Sequence, residues 1–200
     1  MPVEFSFDFK KTLAATIYIA SKEVPELTKY KLCKLLFLAD KYHLVRYGRI
    51  ITGDNYWAVP HGPIPTRTLD ILDAIITVPT LCVWDQQVIT FKNALELDRR
   101  FENPRFKSTA AFNAGELSQS DVMALEKTIS KYGHMDFEEL KAITHSMYAY
   151  KQAWSRRPQG ANRAIMNFEE FFEEDSDAVF GARDAMLEDD LLRKHFPAHQ

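Results

Sequence analysis

His43, His61, His134 and His145, together with Asp40 and Asp54, are the residues of this chain whose types could do chemistry. Imidazoles and carboxylates bind zinc or pass protons as paired acid and base, so a hydrolase built on Asp40, His43 and His61 is one reading. Their spacing gives that chemistry little support. There is no HExxH, no CxxC pair and no glycine-serine nucleophile turn, and Gly53-Asp54 stands without the glycine pattern of a phosphate loop. The residues name no catalytic group, metal ligand or cofactor.

Each of these residues also has a plainer role. His43 lies on the apolar side of a helical pattern, where a half-buried imidazole bonds to backbone or to a neighbouring carboxylate; Asp40, one turn back, is the candidate partner. Gly53-Asp54 reads as a turn. His61 projects from a proline-fixed segment and either shapes that segment or contacts a partner. Tyr56 and Trp57 alternate faces if their segment is extended, so one packs inward and the other stays available at the surface.

The elements that must position these groups centre on residues 28 to 65. Thr28 is a suitable N-cap, and Leu32, Leu35, Leu36, Ala39 and His43 then recur at helical spacing, with Lys29, Lys31, Lys34 and Lys41 on the wetter side. Tyr47 ends the run and Gly48 is placed for a left-handed cap. A short extended piece over 55–59 leads into Pro60-His61-Gly62-Pro63-Ile64-Pro65, a rigid elbow, and Pro65 is suited to open the next helix.

Elsewhere the spacing predicts helices from Asp8 to Ala20, through Leu69 to Ile76, from Ser118 to Gly133 and from Asp136 through Trp154, with Ser155 to Asn162 as a turn or exposed loop. The last helix carries one stripe through Leu140, Ile143, Met147 and Trp154. Leu81 to Phe91 is rich in β-branched and aromatic residues and predicts a small hairpin turning at Asp85-Gln86. Residues 92–116 read as a connection with some helix, and Ile165–Phe172 and Ala182–Phe196 as final helices. The expected architecture is mainly α, one compact helical domain over 1–200 with a minor antiparallel β element.

Two hundred residues with 46% apolar content suffice for one sizeable core, and the net charge of −3 gives no global sign of nucleic acid or membrane as partner. No uninterrupted apolar run approaches a membrane span, and the N-terminus lacks the order of a secretory signal, so the expected place is the cytoplasm. Cys33 and Cys82 are the only cysteines and read as reduced thiols. Charge is unevenly placed. Between Lys141 and Asn167 there is no acid, and Lys141, Lys151, Arg156, Arg157 and Arg163 interleave with Tyr148, Tyr150 and Trp154; from Glu169 to Asp190 acids dominate. A solvated face or a protein partner explains this better than nucleic acid.

The run KLxKLLFLADxxHLxxYGR, followed by GDxYxAxxHGPIP, resembles the Panacea or SocA-like domain of bacterial and prophage antitoxins. The resemblance continues through Leu117-Ser118 with Asp121, Tyr132-Gly133, Leu140 with Thr144-His145, and Trp154. It covers roughly residues 8–155, leaving 156–200 as a helical extension, and departs mildly at Val59, where the family often has an aromatic. It makes Asp40, His43, Tyr47, Gly48, Asp54, Gly62, Pro63, Pro65, His145 and Trp154 motif positions. It implies a binding module that neutralises a cognate protein toxin encoded by an adjacent gene, or an adaptor that delivers a toxin to a Clp-type AAA+ protease. Tyr56, Trp57, His61, Arg156 and Arg157 are the candidate partner contacts.

Overall fold

A computed structural model describes residues 3–77, 85–173 and 175–195. The fold is mainly α, with small antiparallel sheets. Helix α1 (Phe9–Ala20) starts at Asp8, whose carboxylate accepts from Lys11 N. Helix α2 (Lys29–Tyr47) is capped by Thr28 and stopped by Gly48 in the left-handed region at φ 71°. A Cβ there would lie 2.6 Å from the backbone oxygen of Ala182, so glycine serves both the turn and the close approach.

Helix α2 is the axis of the molecule, and it is buried nearly all round. Leu32, Leu35, Leu36 and Ala39 join one apolar cluster, while Phe37, Leu38, Leu44 and Val45 join a second. Each fully buried leucine contributes about 1.5–3 kcal/mol of transfer free energy, so a helix feeding two cores is the main stabilising element. This corrects the expectation of a wet lysine face. Lys31 and Lys34 are only 4% and 2% exposed; their amines reach the carbonyls of Pro25 and Pro63, and Lys41 pairs with Asp175.

Strands β1 (Tyr56–Val59) and β2 (Gly62–Pro65) form the elbow as a tight antiparallel hairpin, followed by α3 (Thr66–Thr77). Pro65 therefore closes a strand, and the helix opens one residue later. The hairpin expected over 81–91 is not there: Gln86–Ala94 is helix α4, N-capped by Asp85, and residues 78–84 lie outside the described residues. Val88, Phe91 and Ala94 bury one face of α4, and that burial overrides the weak helix propensity of its β-branched residues. The hairpin comes later, as β3 (Leu95–Asp98) and β4 (Arg105–Ser108), in the stretch read as a connection.

Helix α5 (Gln119–Tyr132) begins with the Ser118–Asp121 capping box and α6 (Phe137–Ser146) with the Asp136–Glu139 box. The single helix expected from Asp136 through Trp154 is broken at Met147, which is extended at ψ 139°, and resumes as α7 (Tyr148–Ser155), ending where the loop was expected. No glycine or proline marks that break. The helix expected over 165–172 is instead a two-residue strand, β5 (Ala164–Ile165), and a 3-10 turn over Phe168–Phe172; α8 (Ala182–His195) ends the description. β5 pairs with β1, so the elbow becomes a three-stranded sheet ordered β2-β1-β5. No helix among the described residues is long and apolar enough to cross a membrane.

Candidate protein-docking site at the elbow

Two buried carboxylates hold the elbow in place. Asp40 on α2 is fully buried and accepts Ile51 N (2.7 Å), Thr52 N (3.1 Å), the Thr52 hydroxyl and the Tyr56 hydroxyl (2.7 Å). Burial pushes its carboxyl up to about 6, against the pull of those donors. Asp54, also fully buried, accepts from Arg67 N, Thr68 N and the Thr68 hydroxyl, which ties the strand to the first turn of α3. Gly53 between them sits at φ 66°, where a Cβ would meet the backbone oxygen of Ser6 at 1.9 Å. The loop from 51 to 55 is thus pinned to α1, α2 and α3.

His43 does not pair with Asp40. Its Nδ1 donates to the Arg49 carbonyl (2.8 Å), and its Nε2 faces Ser120 Oγ (3.0 Å) and Asp121 Oδ1 (3.1 Å). Burial alone would raise the Asp121 carboxyl, but its contacts with His43, Lys11 and Ser118 hold it well below the usual carboxylate range. Ser120 is within nucleophile-to-base distance of His43, yet Asp121 competes for the same ring nitrogen and a carbonyl takes the other. The arrangement joins α2, the loop after it and α5 rather than forming an acid–base relay. Tyr47 packs on the His43 ring at 4.7 Å. Among the described residues, no group of three or more His, Cys, Asp or Glu side chains is placed to hold a metal ion.

Tyr56 is the inward member of its pair. It is fully buried, packed edge-on against Phe37 at 5.1 Å, and its hydroxyl is held by Asp40, so it is withdrawn as a partner contact. The cause is strand alternation: Tyr56 and Ala58 face the core, leaving Trp57 outward. Trp57 stands opposite Ile64 on β2 and Ile165 on β5, and the Arg163 guanidinium lies over its ring at 4.7 Å. Ile165 is 45% exposed. An apolar row, Ile64–Trp57–Ile165, therefore crosses the outer face of the sheet, next to a groove of about 450 Å³ that also touches Arg156 and Pro158.

His61 has different neighbours. It is exposed at the hairpin tip, with ring centres 6.4 Å from Tyr30 and 6.0 Å from Phe137. Beneath it, Gly62 leaves room for the Lys34 amine, which a Cβ would approach to 2.4 Å. Lys34 Nζ donates to the Pro63 carbonyl at 3.1 Å, and burial pushes the amine down to about 7. His145, at the end of α6, is lowered by burial and then by the charges of Lys34, Lys141 and His61; its Nε2 is buried without a hydrogen-bond partner.

His145 stacks on Tyr150 at 4.4 Å, Tyr150 lies parallel to Trp154 at 6.1 Å, and the Arg157 guanidinium covers Trp154 at 4.1 Å. Tyr150 donates to the Val59 carbonyl, so this column braces the hairpin from behind. Of the two arginines named as contacts, Arg156 is matched internally by Glu170 through two hydrogen bonds, one of 2.8 Å. Arg157 and Arg163 have no carboxylate partner among the described residues. Ile64, Ile165 and Arg163 were missed as site residues. The signal for Ile165 was obscured because Ala-Ile-Met-Asn-Phe reads equally well as the start of a helix.

No curated protein and no solved structure matches the chain. A family model described as antitoxin SocA-like, Panacea domain, matches residues 32–151, from the first buried leucine of α2 to the middle of α7, and the chain belongs to that family.

Proposed function

We propose that this protein is an antitoxin that restrains a cognate protein toxin by direct binding in the cytoplasm, breaking no covalent bond itself. Membership of the antitoxin-like family supports the class of activity. The observation that carries the mode is the outward row Ile64–Trp57–Ile165 with Arg163 above it, mounted on a sheet whose loops are fixed by Asp40 and Asp54. Aromatic and arginine side chains dominate the centres of protein interfaces, because they bury much area while losing little conformational freedom. A stiff mount keeps that cost low. His61, with Tyr30 and Phe137, forms the other end of the same hairpin's surface.

The test is co-expression with the product of the adjacent open reading frame, using Trp57→Ala and His61→Ala together. We expect a folded double variant to lose at least about 2 kcal/mol of binding, roughly thirtyfold in Kd, with growth arrest restored. Full neutralisation by that variant would remove the hairpin from the interface. Toxin left active by the wild-type chain would remove the antitoxin reading altogether.

A further inference from the structure

The three-stranded sheet has two outer edges, and they are built differently. On β1, Met166 N donates to the Tyr56 carbonyl (2.9 Å), and Thr66 N donates to the Asn55 carbonyl (2.9 Å). Antiparallel pairs alternate between bonded and non-bonded. Tyr56 and Ala58 therefore bond toward β5, while Asn55, Trp57 and Val59 bond toward β2. On β2 the outward-facing positions are then Pro63 and Pro65, which carry no N–H, and the Pro63 carbonyl is already taken by Lys34. That edge is sealed, as natural sheets seal edges against unwanted pairing.

The β5 edge is open. Ile165 lies opposite Trp57 in a non-bonded pair, so its N–H and C=O both point away from β1. The groove of about 450 Å³ runs beside it, bounded by Trp57, Arg156, Pro158, Arg163 and Asn167. The apolar side chains of Trp57 and Ile165 line one flank. Arg163, without a carboxylate partner among the described residues, supplies positive charge on that flank.

We propose that β5 accepts an extended segment of the protein partner as a fourth strand, paired through the backbone of Ile165, with an apolar side chain over Trp57 and an acidic one near Arg163. This rests on the antitoxin reading and gives it a binding mode: backbone hydrogen bonds supply affinity, and the alternating side chains supply selection. The sealed β2 edge makes the addition one-sided. Charge favours an acidic segment over a second copy of the same edge, because an antiparallel copy centred on Ile165 would set Arg163 opposite Asn167 and offer it no carboxylate.

The test uses the full chain and the purified product of the adjacent open reading frame. Ile165→Pro deletes the outward N–H without touching the β1 ladder, and proline is tolerated at such an edge position. Ile165→Ala keeps the N–H and trims the side chain. We expect wild-type thermal stability for the proline variant to within a few degrees, with at least about tenfold weaker partner binding than Ile165→Ala. In the wild-type protein, the Ile165 amide should exchange with deuterium freely alone and be protected in the complex, a readout that does not depend on the proline variant folding. Equal binding by the two variants, or an Ile165 amide that stays unprotected in a complex that does form, overturns strand addition while leaving the antitoxin reading intact. A wild-type dimer that Ile165→Pro converts to monomer overturns the toxin as occupant in favour of a second copy. No binding by the wild-type chain overturns both readings.

Discussion

Replacing Asp40 with alanine is expected to cost about 3–5 kcal/mol, enough to leave little folded protein, whereas Asp40→Asn should cost only about 1–2 kcal/mol. The two oxygens of Asp40 face different kinds of donor. Oδ1 takes the N–H groups of Ile51 and Thr52, which cannot turn around, and Oδ2 takes the hydroxyls of Thr52 and Tyr56, which can. An asparagine keeps a carbonyl oxygen on the two backbone donors, and its amide nitrogen can donate to the two hydroxyl oxygens. What it loses is the acceptance of two hydroxyl protons. Alanine leaves all four donors buried and adds a cavity. Burial also disfavours the ionised carboxylate, whose carboxyl is pushed up to about 6, and asparagine never bears that charge. Urea denaturation of the three proteins measures the effect. Equal losses for alanine and asparagine would mean that charge, rather than hydrogen bonding, fixes the loop. Because Asp40 positions the hairpin, partner binding should fall with stability in the alanine variant and survive in the asparagine one.

The second large effect is a pH dependence from Lys34. Its amine is pushed down to about 7 in the folded protein, against about 10.4 for an unfolded chain. Between those values the unfolded state holds a proton that the folded state lacks. Stability from this group is therefore fully present above the unfolded value and is lost as pH falls toward 7, with a slope of up to about 1.4 kcal/mol per pH unit. Lys34→Met should remove that slope. It also leaves the Pro63 carbonyl without its donor, a pH-independent cost of about 1–3 kcal/mol. Denaturation of both proteins at pH 6.5, 7.5 and 8.5 should show the wild type gaining on the variant as pH rises. Lys41, lowered by burial to about 8, titrates in both proteins and cancels in the comparison, whereas His145, lowered in part by the Lys34 charge, changes with the substitution and adds to the wild-type gain in the same direction. Parallel curves would show that Lys34 stays charged in the fold.

Lys34 also shows why spacing alone misplaces the lysines of α2. At the level of spacing, four lysines on one side of a helix describe a solvated face. In the fold, the hairpin tip and α6 close over two of them, and nothing local in the sequence announces that the carbonyls of Pro25 and Pro63 will be waiting. The same logic explains His43. Asp40 is one turn away and was the natural partner, but it is fully engaged by the loop at 51–56, and the carboxylate that reaches His43 comes from Asp121 on α5.

The sequence by itself determined the features whose causes are local. Helix starts at Asp8, Thr28, Ser118 and Asp136, the stop at Gly48, the extended piece at 56–59 and the stiff proline turn all follow from capping oxygens, a left-handed glycine and fixed φ angles acting within a few residues. The spacing of KLLFLAD and HGPIP was also enough for the family. Only the tertiary structure decided which β-prone segments become strands. Gln86–Ala94 is helical because its Val88–Phe91–Ala94 face finds a core to bury in, and Ala164–Ile165 is a strand because β1 offers it hydrogen bonds from a segment about a hundred residues away in sequence. The same long-range pairing chose Trp57 over Tyr56 as the outward residue, placed Ile64 and Ile165 beside it, and left one sheet edge open. Pairing and burial join residues far apart in the chain, whereas a short window of sequence carries only what neighbours do to one another.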